Sequence, residues 1–210
     1  LVVKESEAEE YRKNGNDIIV CPDNAQGNLC KVRNWILDTQ FDDNTDCIIL
    51  IDDDCKAISR WENQKKVKFN ENELIRFCEQ KTLLCKELGF KFWGLNCVED
   101  KGAYREYTPF GFLQYIGGPF QAHLKSNLRY DEELQNIRKY GGCLRINFAN
   151  YNVKQSEQIG GCADYRNLKY EKEQFFALQK KWGKDIIKKD KGSKRSFDYN
   201  PIMKVPIKGI

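Results

Sequence analysis

The feature that most limits the fold is an uninterrupted apolar run, Cys47-Ile48-Ile49-Leu50-Ile51, followed at once by Asp52-Asp53-Asp54. Such a run predicts a strand buried on both faces of a mostly parallel sheet. In open α/β sheets the ligand crevice lies beyond the carboxyl ends of the strands. The sequence therefore delivers three carboxylates to the place where ligands bind. Three like charges side by side are unfavourable unless something neutralises them. Hard cations such as Mg²⁺ or Mn²⁺ prefer carboxylate oxygens and often bridge to substrate phosphates. A solvated polar loop is the alternative, and the buried strand before the triplet favours the cation.

The remaining pattern alternates strands and helices. Leu1-Val2-Val3 reads like the inside of a strand, which points to a start further upstream. Asp17 to Cys21 predicts a strand closed by Pro22, and Lys31 to Leu37 a helix after a turn at Gly27. Glu71 to Leu88 predicts a long helix with Leu74, Phe77, Cys78, Leu84, Cys85 and Leu88 on one stripe. Asn70 caps it, with Glu73 completing a capping box, and Gly89 ends it. Lys91 to Asn96 and an alternating Cys143 to Phe148 predict two more strands, and Asp164 to Trp182 a second long helix stopped by Gly183. A chain of 210 residues with this pattern predicts one α/β domain, a central sheet flanked by helices.

Composition narrows the chemistry. Apolar residues make up 40% and charged residues 31%, which fits a soluble globular chain, and no apolar run approaches the roughly 20 residues of a membrane helix. There are nine cysteines, no Cys-x-x-Cys pair and one histidine, His123, so a zinc site is not expected. Cys47, Cys78 and Cys85 fall at apolar positions, which reads as reduced core thiols in an intracellular protein. A cytoplasm or a nucleus is the expected compartment. His123 is expected on a loop or at the surface. Residues 1–120 carry 16 basic and 21 acidic side chains, and residues 121–210 carry 19 and 10. An acidic first part suits a divalent cation, and a basic last part suits a polyanion. Lys180, Lys181, Lys184, Lys188, Lys189, Lys191, Lys194 and Arg195 are candidates for contacting a nucleic-acid backbone, with a solvated helix end as the alternative.

Other metal-using classes do not fit. An aspartyl-phosphate phosphatase needs Asp-x-Asp-x-Thr/Val, and Cys55-Lys56 follows the aspartates here instead; a nucleotidyltransferase needs Gly-Ser before its paired aspartates, and Leu50-Ile51 stand there. Neither a Walker-type loop nor Gly-x-Gly-x-x-Gly occurs.

Several blocks, taken in order, resemble one family. They are Gly27 to Trp35, Ile48 to Asp54, Phe92 to Asn96, Tyr104 to Phe110, Gly117 to Phe120 and Leu128 to Glu132. Gly160 to Ala163, Lys181 to Gly183 and Tyr199 to Ile202 follow. Together they resemble the TET/JBP-associated glycosyltransferases, the family of the base J glucosyltransferase and its bacteriophage relatives. The resemblance implies a GT-A fold and transfer of a sugar to a hydroxymethylated pyrimidine in DNA. It implies a donor such as UDP-glucose and Mn²⁺ or Mg²⁺ on an Asp-x-Asp motif. In one respect the sequence departs from the pattern. The family carries about a dozen more residues, with a Lys-Glu-Asp, between the positions of Leu134 and Gln135. The matching flanks favour a segment left out of the sequence over a true deletion.

On this reading Asp52 and Asp54 hold the metal. Arg33, Asn34, Asp52, Asp53, Gly160 and Gly161 face the donor. Trp93, Asn96, Tyr104, Arg105, Glu106 and Tyr107 face the acceptor, the last four mixing rings and charges that suit an extruded base. Asp131, Glu132 and Glu133 are the nearest carboxylates for taking the acceptor proton, and the family pattern favours the absent Glu-Asp pair instead. The alternatives are a transferase acting on a protein, glycan or small molecule, and a DNA-binding relative without catalysis.

Overall fold

A computed structural model describes residues 1–27, 29–100, 104–125, 132–153, 168–190, 199 and 201–203. The chain forms two compact units, Leu1–Gln155 and Ser156–Ile210.

The first unit opens with β1 (Val2–Lys4), α1 (Ala8–Lys13) and β2 (Ile19–Cys21). β1 and β2 pair in parallel as a small sheet of their own. α2 (Leu29–Thr39) leads to β3 (Cys47–Ile51), the strand before the acidic triplet. Next come β4 (Cys55–Glu62), β5 (Lys65–Lys68), α3 (Glu71–Glu87) and β6 (Phe92–Asn96). β7 (Phe110–Gly111), β8 (Phe120–Leu124), α4 (Glu132–Tyr140) and β9 (Leu144–Val153) complete it.

Seven strands make the main sheet, in the order β3-β8-β6-β9-β4-β5, with β7 paired to β9. The fold is thus a mixed α/β arrangement around a multi-stranded sheet. The expectation of a mostly parallel sheet is corrected. Among the described residues only β6 and β9 pair in parallel within it, and the other five pairings are antiparallel. β3 is also not buried on both faces. Among the described residues it is an edge strand, hydrogen-bonded to β8 alone, and Ile51 is half exposed. Its apolar continuity reflects packing of Cys47 and Ile49 on the core rather than enclosure by strands on either side.

The strands at the middle of the sheet are the most buried. Every residue of β6 and of β8 is buried. Trp93, Phe120, Leu95, Leu144 and Ile146 form the heart of the core, with Phe77 and Cys85 packed onto it from α3. α3 begins as expected: Asn70 accepts from the Glu73 amide and the Glu73 carboxylate accepts from the Asn70 amide. This satisfies donors that a helix start otherwise leaves open. Burial raises the thiols of Cys78 and Cys85 to about 12, as expected of core cysteines, and the eight described cysteines are free. β9 alternates only at Leu144, Arg145 and Ile146, after which its register against β6 shifts and the alternation ends.

His123 is neither on a loop nor at the surface. It lies in β8, is buried, and packs its ring 5.0 Å from Phe92. α4 runs through both Leu134 and Gln135.

The second unit contains α5 (Leu168–Trp182), β10 (Ile187–Lys189) and β11 (Pro201–Met203). β10 and β11 pair antiparallel, and Gly183, at φ 93°, ends α5 where expected.

Candidate functional site

The acidic triplet forms the turn between β3 and β4. The Asp52 amide donates to the Pro119 carbonyl at 3.1 Å, and the Cys55 amide to the Asp52 carbonyl at 3.1 Å. These bonds fix the turn against the Gly117-Gly118-Pro119 segment that enters β8. The Asp52 and Asp54 side chains are partly buried and Asp53 is exposed.

Arg33, from α2, reaches this turn. Its Nη2 donates to Oδ1 of Asp52 at 2.7 Å and to the Gly118 carbonyl at 2.9 Å. Its Nη1 donates to Oε1 of Gln121 at 2.8 Å. The Arg33 side chain is 13% exposed and that of Asp52 31%, so the pair is partly shielded from water and its geometry well defined. Burial nonetheless raises the Asp52 carboxyl above its ordinary range. Arg33 pulls it back down, and Asp54 and Asp53 push it up again.

The two glycines before Pro119 differ in their surroundings. A Cβ on Gly118 would make ordinary van der Waals contact with Nη1 of Arg33, at 3.4 Å. A Cβ on Gly117 would lie 1.8 Å from the Tyr151 hydroxyl and 3.2 Å from Cβ of Cys97. Tyr151, on β9, is buried, and desolvation is the main cause of its raised pKa.

Two oxygens remain to be accounted for. Oδ1 of Asp54 is buried without a hydrogen-bond partner. A buried carboxylate oxygen left so is costly and calls for a proton, water or cation. Among the described residues the Asp52 carboxylate accepts a side-chain hydrogen bond at Oδ1, from Arg33, and none at Oδ2. No group of three or more His, Cys, Asp or Glu suited to a metal exists among the described residues. The protein thus offers two carboxylates rather than a complete cage. That donor set fits a hard cation which takes its other ligands from water and substrate phosphates.

The remaining sequence candidates are placed as follows. Asn34 is on α2 beside Arg33. Trp93 is fully buried, donates its indole N–H to Thr82 at 3.1 Å and packs on Phe77 and Phe120. Its expected contact with the acceptor is corrected: it is a core residue. Asn96 is also buried, donating to the Asn147 carbonyl and accepting from the Val98 amide. Tyr104 is partly buried, which with Glu106 raises its phenol, whereas Arg105, Glu106 and Tyr107 are exposed, Tyr107 at 81%. Glu132 and Glu133 open α4. Asp131, Gly160, Gly161, Lys191, Lys194 and Arg195 lie outside the described residues.

Sequence reasoning gave no role to Gln121, Tyr151 or Asn147. Gln121 and Tyr151 come from strands distant in sequence, and nothing local marks them. Asn147 holds the Tyr104–Thr108 segment to β9. Its Nδ2 donates to the Thr108 carbonyl at 2.9 Å, its amide to the Pro109 carbonyl at 2.9 Å, and its Oδ1 accepts from Nε of Arg145 at 2.8 Å. A cavity of about 570 Å³ lies between β3 and α3, lined by Ile49, Ile51, Leu74, Ile75 and Cys78 among others. It is apolar and the triplet does not line it.

A family model described as TET-Associated Glycosyltransferase matches residues 1–90, the stretch that contains Arg33 and Asp52-Asp53-Asp54. No curated protein and no solved structure matches.

Proposed function

We propose, from the match of residues 1–90 to the TET-Associated Glycosyltransferase model, that the chain is a glycosyltransferase moving a sugar from a nucleotide-diphosphate donor to a hydroxymethylated pyrimidine in DNA, with Mn²⁺ or Mg²⁺ on Asp52 and Asp54. The observation that carries this reading is the buried, unpartnered Oδ1 of Asp54 beside an Asp52 already fixed by Arg33. We read the arrangement as GT-A: a strand ending in an Asp-x-Asp turn, an antiparallel strand beside it, and a helix bringing an arginine to the carboxylates.

A cation held by Asp52 and Asp54 would supply Lewis-acid stabilisation of the leaving diphosphate. Arg33 orients Asp52 and favours its ionised form, and its positive charge favours an anionic donor at the same turn. Gly117 and Gly118 let backbone come close to that turn. Asp53, exposed between its neighbours, is free to bond a donor hydroxyl. The exposed Arg105, Glu106 and Tyr107 offer charge and an aromatic ring to an extruded base. The acceptor hydroxyl gives its proton to a carboxylate, for which Asp131, Glu132 and Glu133 are the candidates.

The test is transfer of labelled glucose from UDP-glucose, with Mn²⁺, to DNA containing hydroxymethylcytosine, compared with unmodified DNA, protein and glycan acceptors. Label should enter only the hydroxymethylated DNA. Asp52→Asn and Asp54→Asn should each lower turnover by roughly 100-fold, the scale of losing one charge-stabilising group. Label confined to non-DNA acceptors removes the DNA assignment. Full turnover in a chelator, or in the triple alanine variant, removes the metal assignment.

A further inference from the structure

The unit Ser156–Ile210 carries thirteen basic and seven acidic side chains, whereas Leu1–Gln155 carries twenty-two and twenty-four. The excess of positive charge therefore belongs to the second unit. Its helix α5 divides into two kinds of surface. Phe175 is buried. Lys169, Lys172, Phe176 and Lys180, spaced three, four and four residues apart, fall on one stripe and are exposed. Glu173 is the acidic residue beside them.

Phe176 is 49% exposed, yet its ring is not loose. It meets Phe175 edge-on at 5.6 Å and Tyr199 at 6.1 Å, and Phe175 meets Tyr199 at 5.7 Å. Two cations flank this trio: Nζ of Lys189 lies 4.7 Å and Nζ of Lys172 5.9 Å from the Tyr199 ring centre. Lys188, the exposed residue between Ile187 and Lys189 on β10, belongs to the opposite face of that strand. The result is a propped aromatic ring, open to solvent, within a field of ammonium groups.

We propose that this surface is a stacking platform for single-stranded DNA. A polyanion alone would be served by the lysines, and an apolar partner would be repelled by them. A ligand that needs both a π face and a neutralised backbone is a nucleic acid with unstacked bases. The inference rests on the acceptor being DNA, and it assigns the second unit the task of holding the strand. Phe176 takes a base, Tyr199 packs against its ring, and Lys172, Lys180 and Lys189 face phosphates.

The test is fluorescence anisotropy of a labelled oligothymidylate with the full chain. Phe176→Ala should weaken binding roughly tenfold, the worth of one base stacked on an aromatic ring. Phe176→Trp should retain it, which separates stacking from a folding defect. Lys172→Glu should weaken binding and flatten its dependence on salt. Alanine at 176 binding like the wild type, or preference for duplex over single strand, overturns the platform. Sugar transfer to hydroxymethylated DNA is measured alongside. If the wild type labels that DNA while Phe176→Ala binds normally, the platform falls and the acceptor assignment stands. If no DNA is labelled but Phe176→Ala loses the oligonucleotide, the acceptor assignment falls and the platform stands.

Discussion

The guanidinium of Arg33 and the carboxylate of Asp52 meet at 2.7 Å at the end of β3, and this contact opposes the effect of burial on the carboxyl. Burial alone would favour a protonated Asp52, and Arg33 is the largest influence opposing it.

Removing that opposition should therefore shift the pH dependence. In Arg33→Gln, Asp52 ionises at higher pH, so the acidic limb of the kcat/KM profile should move to higher pH. The effect on stability has the same origin. A carboxyl whose folded pKa is raised contributes stability that is fully present below its unfolded pKa and lost as pH rises through the folded value. The urea midpoint of Arg33→Gln should thus fall, relative to wild type, as pH increases above the ordinary aspartate value of 3.8. An unmoved acidic limb would show that Asp52 does not govern activity.

Gly117→Ala should destabilise the protein, because its new methyl would sit 1.8 Å from the Tyr151 hydroxyl. The cost expected for such overpacking is about 1–3 kcal/mol, and the melting temperature should fall by roughly 2–4 °C for each kcal/mol. Adding Tyr151→Phe removes the clashing oxygen and should recover part of the loss. A double variant no more stable than Gly117→Ala would place the clash elsewhere.

Asn147→Ala should loosen the Tyr104–Thr108 segment. It removes the donor to the Thr108 carbonyl and the acceptor for Nε of Arg145. A loss of about 1–3 kcal/mol is expected from leaving such groups unpaired. Amide exchange at Arg105, Glu106 and Tyr107 should quicken more than exchange in α3. Uniform quickening across the first unit would mean global destabilisation instead.

Legibility in the sequence followed locality. β3, the Asp52–Asp54 turn, and α3 with its Asn70 cap all write their signals within a few neighbouring residues. β8 was not read, since Gln121 and His123 interrupt its apolar pattern although both are buried in the folded chain. The β4–β5 hairpin was missed too. Its turn residues Asn63 and Gln64 both have positive φ, and asparagine at such a position was the available signal. The edge position of β3 was out of reach, because its partner β8 lies some seventy residues further on. The same distance hid half of the site. Arg33 and the triplet carry a local pattern, whereas Gly118 and Gln121 acquire their roles only when the strands pair.

The span matched by the family model stops at residue 90, while two of the three acceptors that hold the Arg33 side chain, Gly118 and Gln121, come later. A fragment cut at that boundary would keep the arginine and all three aspartates but lose the cradle that aims them. Transplanting the motif into another scaffold would therefore carry its letters without its geometry. The smallest portable version of this centre must extend at least through β8.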